Sequence, residues 1–144
     1  MQIRIAIPNG AVDAKSLGAA LEAATVANEG LDKRRLLPDI VSAIENKKIR
    51  WKAEDFKDGE HFDLGPVVLA RGWGDCDDLA PWLCANLRAK GVECRPIAYQ
   101  SAPNRWHAVV EVADGRILDP SVWAGTKAPT RGRDNPGVHG ACFQ

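Results

Sequence analysis

The sequence predicts an α+β fold. Apolar residues recur at helical spacing in three segments before Gly91, strand-like runs follow from Cys94, and Ala113-Asp114-Gly115 joins two of those runs into a hairpin. The chain has 144 residues, 45% hydrophobic and 26% charged, with 19 basic residues against 19 acidic. Those values describe one domain spanning residues 1–144. A chain of this length buries roughly 68–70% of its unfolded surface, so it needs neither a metal nor a disulfide framework to fold.

Residues 2–7 alternate isoleucine with Gln, Arg and Ala before Pro8-Asn9-Gly10, the pattern of a short strand ended by a turn. Leu17, Ala20, Leu21, Ala24 and Ala27 then trace an apolar helical stripe that ends near Gly30. Leu37, Ile40, Val41 and Ile44 repeat the period in a second helix, with Pro38 at its first turn. Between Ile49 and Leu69 the period is lost, and Asp58-Gly59 and Gly65-Pro66 mark turns, so a long irregular connection is expected.

The third helix is the best marked. Gly74-Asp75 precedes it; Leu79, Trp82, Leu83, Asn86 and Leu87 form one face; Arg88 and Lys90 lie in its last turn; and Gly91 stops it. Pro81 is expected to bend its first turns. Strands are expected over residues 94–99, 105–112 and 116–118, and residues 124–144 form an aperiodic tail.

Charge balance without a basic run argues against nucleic acid as a partner, because that affinity comes largely from neutralising phosphates. No apolar run approaches the 18 or so residues of a membrane span, and the start lacks a signal peptide's apolar stretch. A cytoplasmic location follows, or the virion for a phage-encoded chain. In a reducing compartment the four cysteines, Cys76, Cys84, Cys94 and Cys142, remain thiols. His139 and Cys142 form an H-x-x-C pair, but zinc takes four ligands and no second pair accompanies them, so no cofactor is expected.

Cys76 falls in the first turn of the third helix, where Asp75 is the cap and the helix dipole favours thiolate. Asp77 and Asp78 oppose ionisation unless they point to solvent. His107 lies mid-strand in RWHAVVEV, on the face of Val109 and Glu111. Asp119 follows at the end of the partner strand. A three-residue hairpin loop with Gly115 left-handed sets Val109 opposite Asp119, making His107 its diagonal neighbour on one face. A two-residue turn would send the aspartate to the other face. Nucleophile, imidazole and carboxylate are the three parts that thiol catalysis requires.

These segments, GWGDCDDLAPWLCANLRAKGVECRPIAY, NRWHAVVEV and GRILDPSVW, resemble the core of the transglutaminase-like superfamily over residues 71–123. The resemblance implies a papain-like fold, a central helix packed on an antiparallel sheet. It makes Cys76 the nucleophile, His107 the general base and Asp119 the orienting carboxylate. The glutamine that papain-like enzymes use as oxyanion donor would stand six residues before the cysteine, where this chain has Ala70. The Cys76 amide and a tryptophan indole are the substitutes, Trp51 first and Trp73 second. The expected activity is a cysteine hydrolase, peptidase or amidase, acting on a protein or peptide, with transamidation as its variant. The rival reading is a catalytically silent papain-like module with a binding or structural role, for example in a phage particle. Oligomeric state is not legible.

Overall fold

Aspartates begin four of the five helices in the computed structural model, which describes residues 2–4, 13–53, 61–103 and 105–126. Asp13 caps α1 (Ala14–Lys33), its Oδ1 accepting from the Ser16 amide at 2.6 Å. Asp39 caps α2 (Ile40–Glu45) through the Ser42 amide at 3.0 Å. These backbone bonds hold both carboxyls below the usual aspartate range, because they favour the charged form. Pro38 stands before that cap rather than inside the helix. Its missing N–H costs nothing there, and its carbonyl accepts from Trp82 Nε1 at 2.8 Å and Asn86 Nδ2 at 3.2 Å.

The stretch expected to be irregular contains structure. Strand β1 (Gln2–Arg4) precedes α1, and β2 (Arg50–Trp51), β3 (His61–Asp63) and α3 (Gly65–Arg71) follow α2. Strands β1 and β3 pair antiparallel. Helix α3 begins at the very Gly65-Pro66 that signals a turn, because proline in a first helical turn loses no hydrogen bond. It ends at Gly72, whose φ of +84° closes the helix in the left-handed region. Helix α1 runs past Gly30 to Lys33, carried by the packing of its stripe.

Strand β4 (Trp73–Gly74) leads into α4 (Cys76–Ala89), and β4 pairs in parallel with β2. Helix α4 continues through Pro81. Leu79, Ala80, Trp82, Leu83 and Cys84 around it are all buried. At about 1.5–3 kcal/mol for each large apolar side chain, that burial offsets the roughly 3 kcal/mol an interior proline costs.

The antiparallel sheet has the order β5-β6-β7, formed by β5 (Cys94–Ala102), β6 (Arg105–Val112) and β7 (Ile117–Leu118). Helix α5 (Pro120–Trp123), which the sequence reading assigns to no element, closes the described chain with residues 124–126. The expected turn at 8–10, the Asp58-Gly59 turn and the tail from 127 lie outside the described residues. Helix α4 packs on α1, β5 and β6, and α1 also covers β5. The core joins Leu21 of α1, Ile40 of α2, Phe62 of β3, Val68 of α3 and Val110 of β6 to the buried face of α4. The architecture is α+β.

Two buried asparagines lock the helices to one another. Asn28 of α1 accepts from the Gly65 amide at 3.0 Å and donates to Ala24 O, while Asn86 of α4 accepts from the Ile40 amide at 2.9 Å. Each covers an amide at a helix start that would otherwise be orphaned in the interior. Asn28→Ala and Asn86→Ala are each expected to destabilise the chain by about 1–3 kcal/mol, measured as a lower urea midpoint with unchanged slope.

Candidate active site

Gly74 and Asp75 place Cys76. A Cβ on Gly74 would lie 3.0 Å from Val68 Cγ1 and 3.2 Å from Asp78 Cβ, so only glycine lets β4 pass this close over the helix it precedes. Asp75 then caps α4, accepting from the Asp77 amide at 3.1 Å, while Asp78 Oδ2 accepts from the Asp75 amide at 3.3 Å. This reciprocal box fixes the first turn and puts Cys76 at its positive end. Cys76 is fully buried, with Sγ 3.7 Å from Asp77 Oδ1. Against the expectation that all four cysteines remain thiols, Cys76 is disulfide-bonded, while Cys84 and Cys94 are free thiols. The thiol chemistry below belongs to the reduced form.

The two aspartates after Cys76 do not point to solvent. Asp77 is buried, and Asp78 is completely so. Asp78 Oδ2 pairs with Arg71 Nη2 at 2.7 Å and Oδ1 accepts from the Asp63 amide at 2.8 Å. Arg71 also binds the Asp63 carboxylate, donates from Nε to Trp73 O at 2.8 Å, and lies over the Trp73 ring at 4.0 Å. One guanidinium thus neutralises both buried carboxylates beside the first turn. Lys52 lies over the same indole at 4.9 Å, so Trp73 is engaged as a cation platform.

The hairpin takes the three-residue loop. Val112 donates to Arg116 O, Gly115 has φ +93°, and the ladder pairs Val110 with Leu118 and Glu111 with Ile117. Extending that register by one residue sets Asp119 opposite Val109. His107 Nε2 and Asp119 Oδ2 accordingly lie 2.6 Å apart, both side chains buried. The other carboxylate oxygen accepts from the Ser121 amide at 3.1 Å, so Asp119 also caps α5. With the carboxylate accepting, the ring donates from Nε2. Across the ladder Tyr99 faces His107, ring centroids 5.5 Å apart and planes at 88°, an edge-to-face contact that fixes the imidazole plane.

Trp51 lies half-buried in β2, paired with Gly74 two residues before Cys76, and its amide donates to Ala124 O at 2.9 Å. The structure therefore brings His107 and Asp119 into direct contact, pairs the Trp51 backbone with Gly74, and sets Cys76 at the start of the helix that packs on β6. His139 and Cys142 lie outside the described residues. Among the described residues no cluster of metal-ligating side chains occurs, and no helix is long and apolar enough to cross a membrane.

Comparison with protein families matches residues 24–125 to the model of the transglutaminase-like superfamily. The chain belongs to that superfamily. The match starts within α1 and ends after α5, so the family unit includes the N-terminal helices as well as the motif-bearing core at 71–123. No curated protein and no solved structure matches the chain.

Arg71, Asp63 and Tyr99 are contributors that the sequence reading missed. Asp78 carried a usable signal, since an acidic residue three positions after Asp75 is a capping-box spacing. Tyr99 could be found only from the pairing register of β5 with β6.

Tyr99 is the one tyrosine in the chain, which makes its environment readable. Burial and the nearby Asp119 charge push its phenol above the usual tyrosine value of 10.0. The folded state therefore holds this proton to higher pH than the unfolded state, and stability falls as pH rises above about 10. Phenolate absorbance is expected to stay low in folded protein above pH 10 and to appear together with unfolding. Titration of the folded chain at the ordinary tyrosine value would contradict this placement.

Proposed function

We propose that this transglutaminase-like chain is a thiol-dependent acyl-transfer enzyme that cleaves amide bonds in a protein or peptide. Cys76 is the nucleophile, His107 the general base and Asp119 the orienting carboxylate. The observation that carries this reading is the buried 2.6 Å bond between His107 Nε2 and Asp119 Oδ2. A buried carboxylate bonded to one imidazole nitrogen sets the tautomer and stabilises the imidazolium that catalysis requires. With Nε2 committed to Asp119, the catalytic proton moves through Nδ1.

In the reduced enzyme, His107 Nδ1 takes the Cys76 proton and the thiolate attacks the amide carbonyl. The negative oxygen of the tetrahedral intermediate is stabilised by the Cys76 amide at the helix start and by the Trp51 indole. Trp51 is preferred over Trp73 because Trp73 lies between two cations, whereas Trp51 pairs with the residue two before the nucleophile. Collapse of the intermediate breaks the C–N bond, with His107 returning the proton to the leaving amine. Water then hydrolyses the thioester, again with His107 as base, and an amine acceptor in place of water would give transamidation. Hydrolysis is the simpler outcome for this small chain. Asp77, buried beside Sγ, stands against full ionisation of the thiol at rest, so the His107 and helix-dipole contributions must outweigh it.

After reduction, iodoacetamide alkylation of Cys76 is expected to persist as pH falls below the ordinary thiol range near 8.5, whereas cysteine in the unfolded chain slows with loss of thiolate. His107→Ala should restore an ordinary pH profile at Cys76. Once a substrate is in hand, Cys76→Ala should abolish turnover with the fold retained, and Asp119→Asn should lower kcat by about a hundredfold or more. A Cys76 profile indistinguishable from unfolded-chain cysteine would replace this proposal with the silent binding module.

A further inference from the structure

Helix α4 carries a second thiol that the proposed chemistry does not use. Cys84, two turns beyond Cys76, meets Cys94, the first residue of β5, with Sγ atoms 3.3 Å apart. Both are free thiols, and Cys94 Sγ also lies 3.5 Å from Cys84 O. They sit on different elements that share one core, joined only by the short turn through Gly91. A disulfide needs an S–S distance of about 2.05 Å, and the two sulfurs are already in contact. Their accessibility differs. Cys84 is fully buried, while Cys94 is 8% exposed and lines a surface cleft with Arg95 and Glu111.

We propose that Cys84 and Cys94 form a redox-active dithiol, a modification site for hydroperoxides, which closes into a disulfide between α4 and β5. The entry sulfur is Cys94. Its thiolate attacks the peroxide O–O bond, giving a Cys94 sulfenic acid, and the leaving hydroxide or alkoxide takes up the proton the thiol gave and departs as water or an alcohol. The Cys84 sulfur then attacks the sulfenic sulfur, forming the S–S bond and releasing water, so one peroxide is reduced by two electrons and two thiols become one disulfide. Burial and the neighbouring Cys94 push the Cys84 thiol up, which makes Cys84 the poorer first nucleophile and leaves the first reaction with peroxide to the more accessible Cys94. The bridge closes an eleven-residue loop, from Cys84 to Cys94, and staples the helix bearing Cys76 to the strand paired with the His107 strand.

The experiment uses the reduced full-length chain treated with excess hydrogen peroxide, alkylated in denaturant and digested after Trp82, Arg88 and Lys90, which puts Cys76, Cys84 and Cys94 on separate peptides. The expected result is a cross-linked peptide joining Cys84 to Cys94, with a melting temperature raised by roughly 5–10 °C and restored by dithiothreitol. Cys84→Ser should instead leave Cys94 trapped as sulfenic or sulfinic acid and remove the temperature rise. Recovery of both residues as alkylated thiols, or of either one bridged to a different cysteine, would overturn the proposal. None of these readouts depends on turnover, so they stand or fall separately from the activity of Cys76.

Discussion

The fully buried Asp78 carboxylate is the constraint around which the site is organised. A charge without water must be compensated where it stands, or the helix that contains it cannot pack. Three groups do so: the Arg71 guanidinium from α3, the Asp63 amide from β3 and the Asp75 amide at the start of α4. Each comes from a different element, so satisfying one side chain fixes the relative positions of β3, α3 and the first turn of α4. Arg71 extends the network to β4 through Trp73 O and the indole face. Its fork geometry makes this possible, since five donors in a plane can serve two carboxylates and a carbonyl at once, which lysine cannot. Such a network contributes less net stability than its bond count suggests, because desolvating three charges is costly. Its effect is to hold Cys76 in one orientation.

The same economy governs the far side of the site. Asp119 serves two partners with its two oxygens, capping α5 through Ser121 and binding His107. The α5 cap fixes the carboxylate in place, so under the proposed mechanism it needs no reorganisation when positive charge develops on the imidazole. Tyr99 restrains the ring from its edge. A histidine confined by a carboxylate at Nε2 and an aromatic edge across the ladder has little rotational freedom, and that restraint is what the proposed base role at Nδ1 requires.

Helix α4 joins these parts and carries contradictory local instructions. Pro81 removes a backbone donor from its second turn, and two acidic residues sit in its first. Both acidic residues agree with the dipole, and Asp78 is absorbed by Arg71 and the capping box. The proline is outweighed by the burial of Trp82 and its neighbours, and Trp82 adds a hydrogen bond to Pro38 O. Tertiary packing therefore overrides a local helix breaker at the centre of the molecule.

Much of this was legible in the residues themselves. Periodicity and caps locate α1, α2 and α4, because the 3.6-residue repeat and the aspartates before it are local signals. The hairpin loop is local too, since a glycine able to adopt positive φ selects the three-residue turn, and the turn sets the register that puts Asp119 beside His107. The short elements were not legible: β2, β4, α3 and α5 span 2, 2, 7 and 4 residues, too few for a period, and β2 and β4 exist only by pairing with each other across distant chain. The same limit applies to charge. Sequence reading leaves open whether Asp77 and Asp78 point to solvent, whereas the fold buries both and brings Arg71 onto Asp78. Local conformation is encoded by neighbours along the chain, but burial, ion pairing and the approach of two sulfurs depend on residues that meet only after the chain has folded.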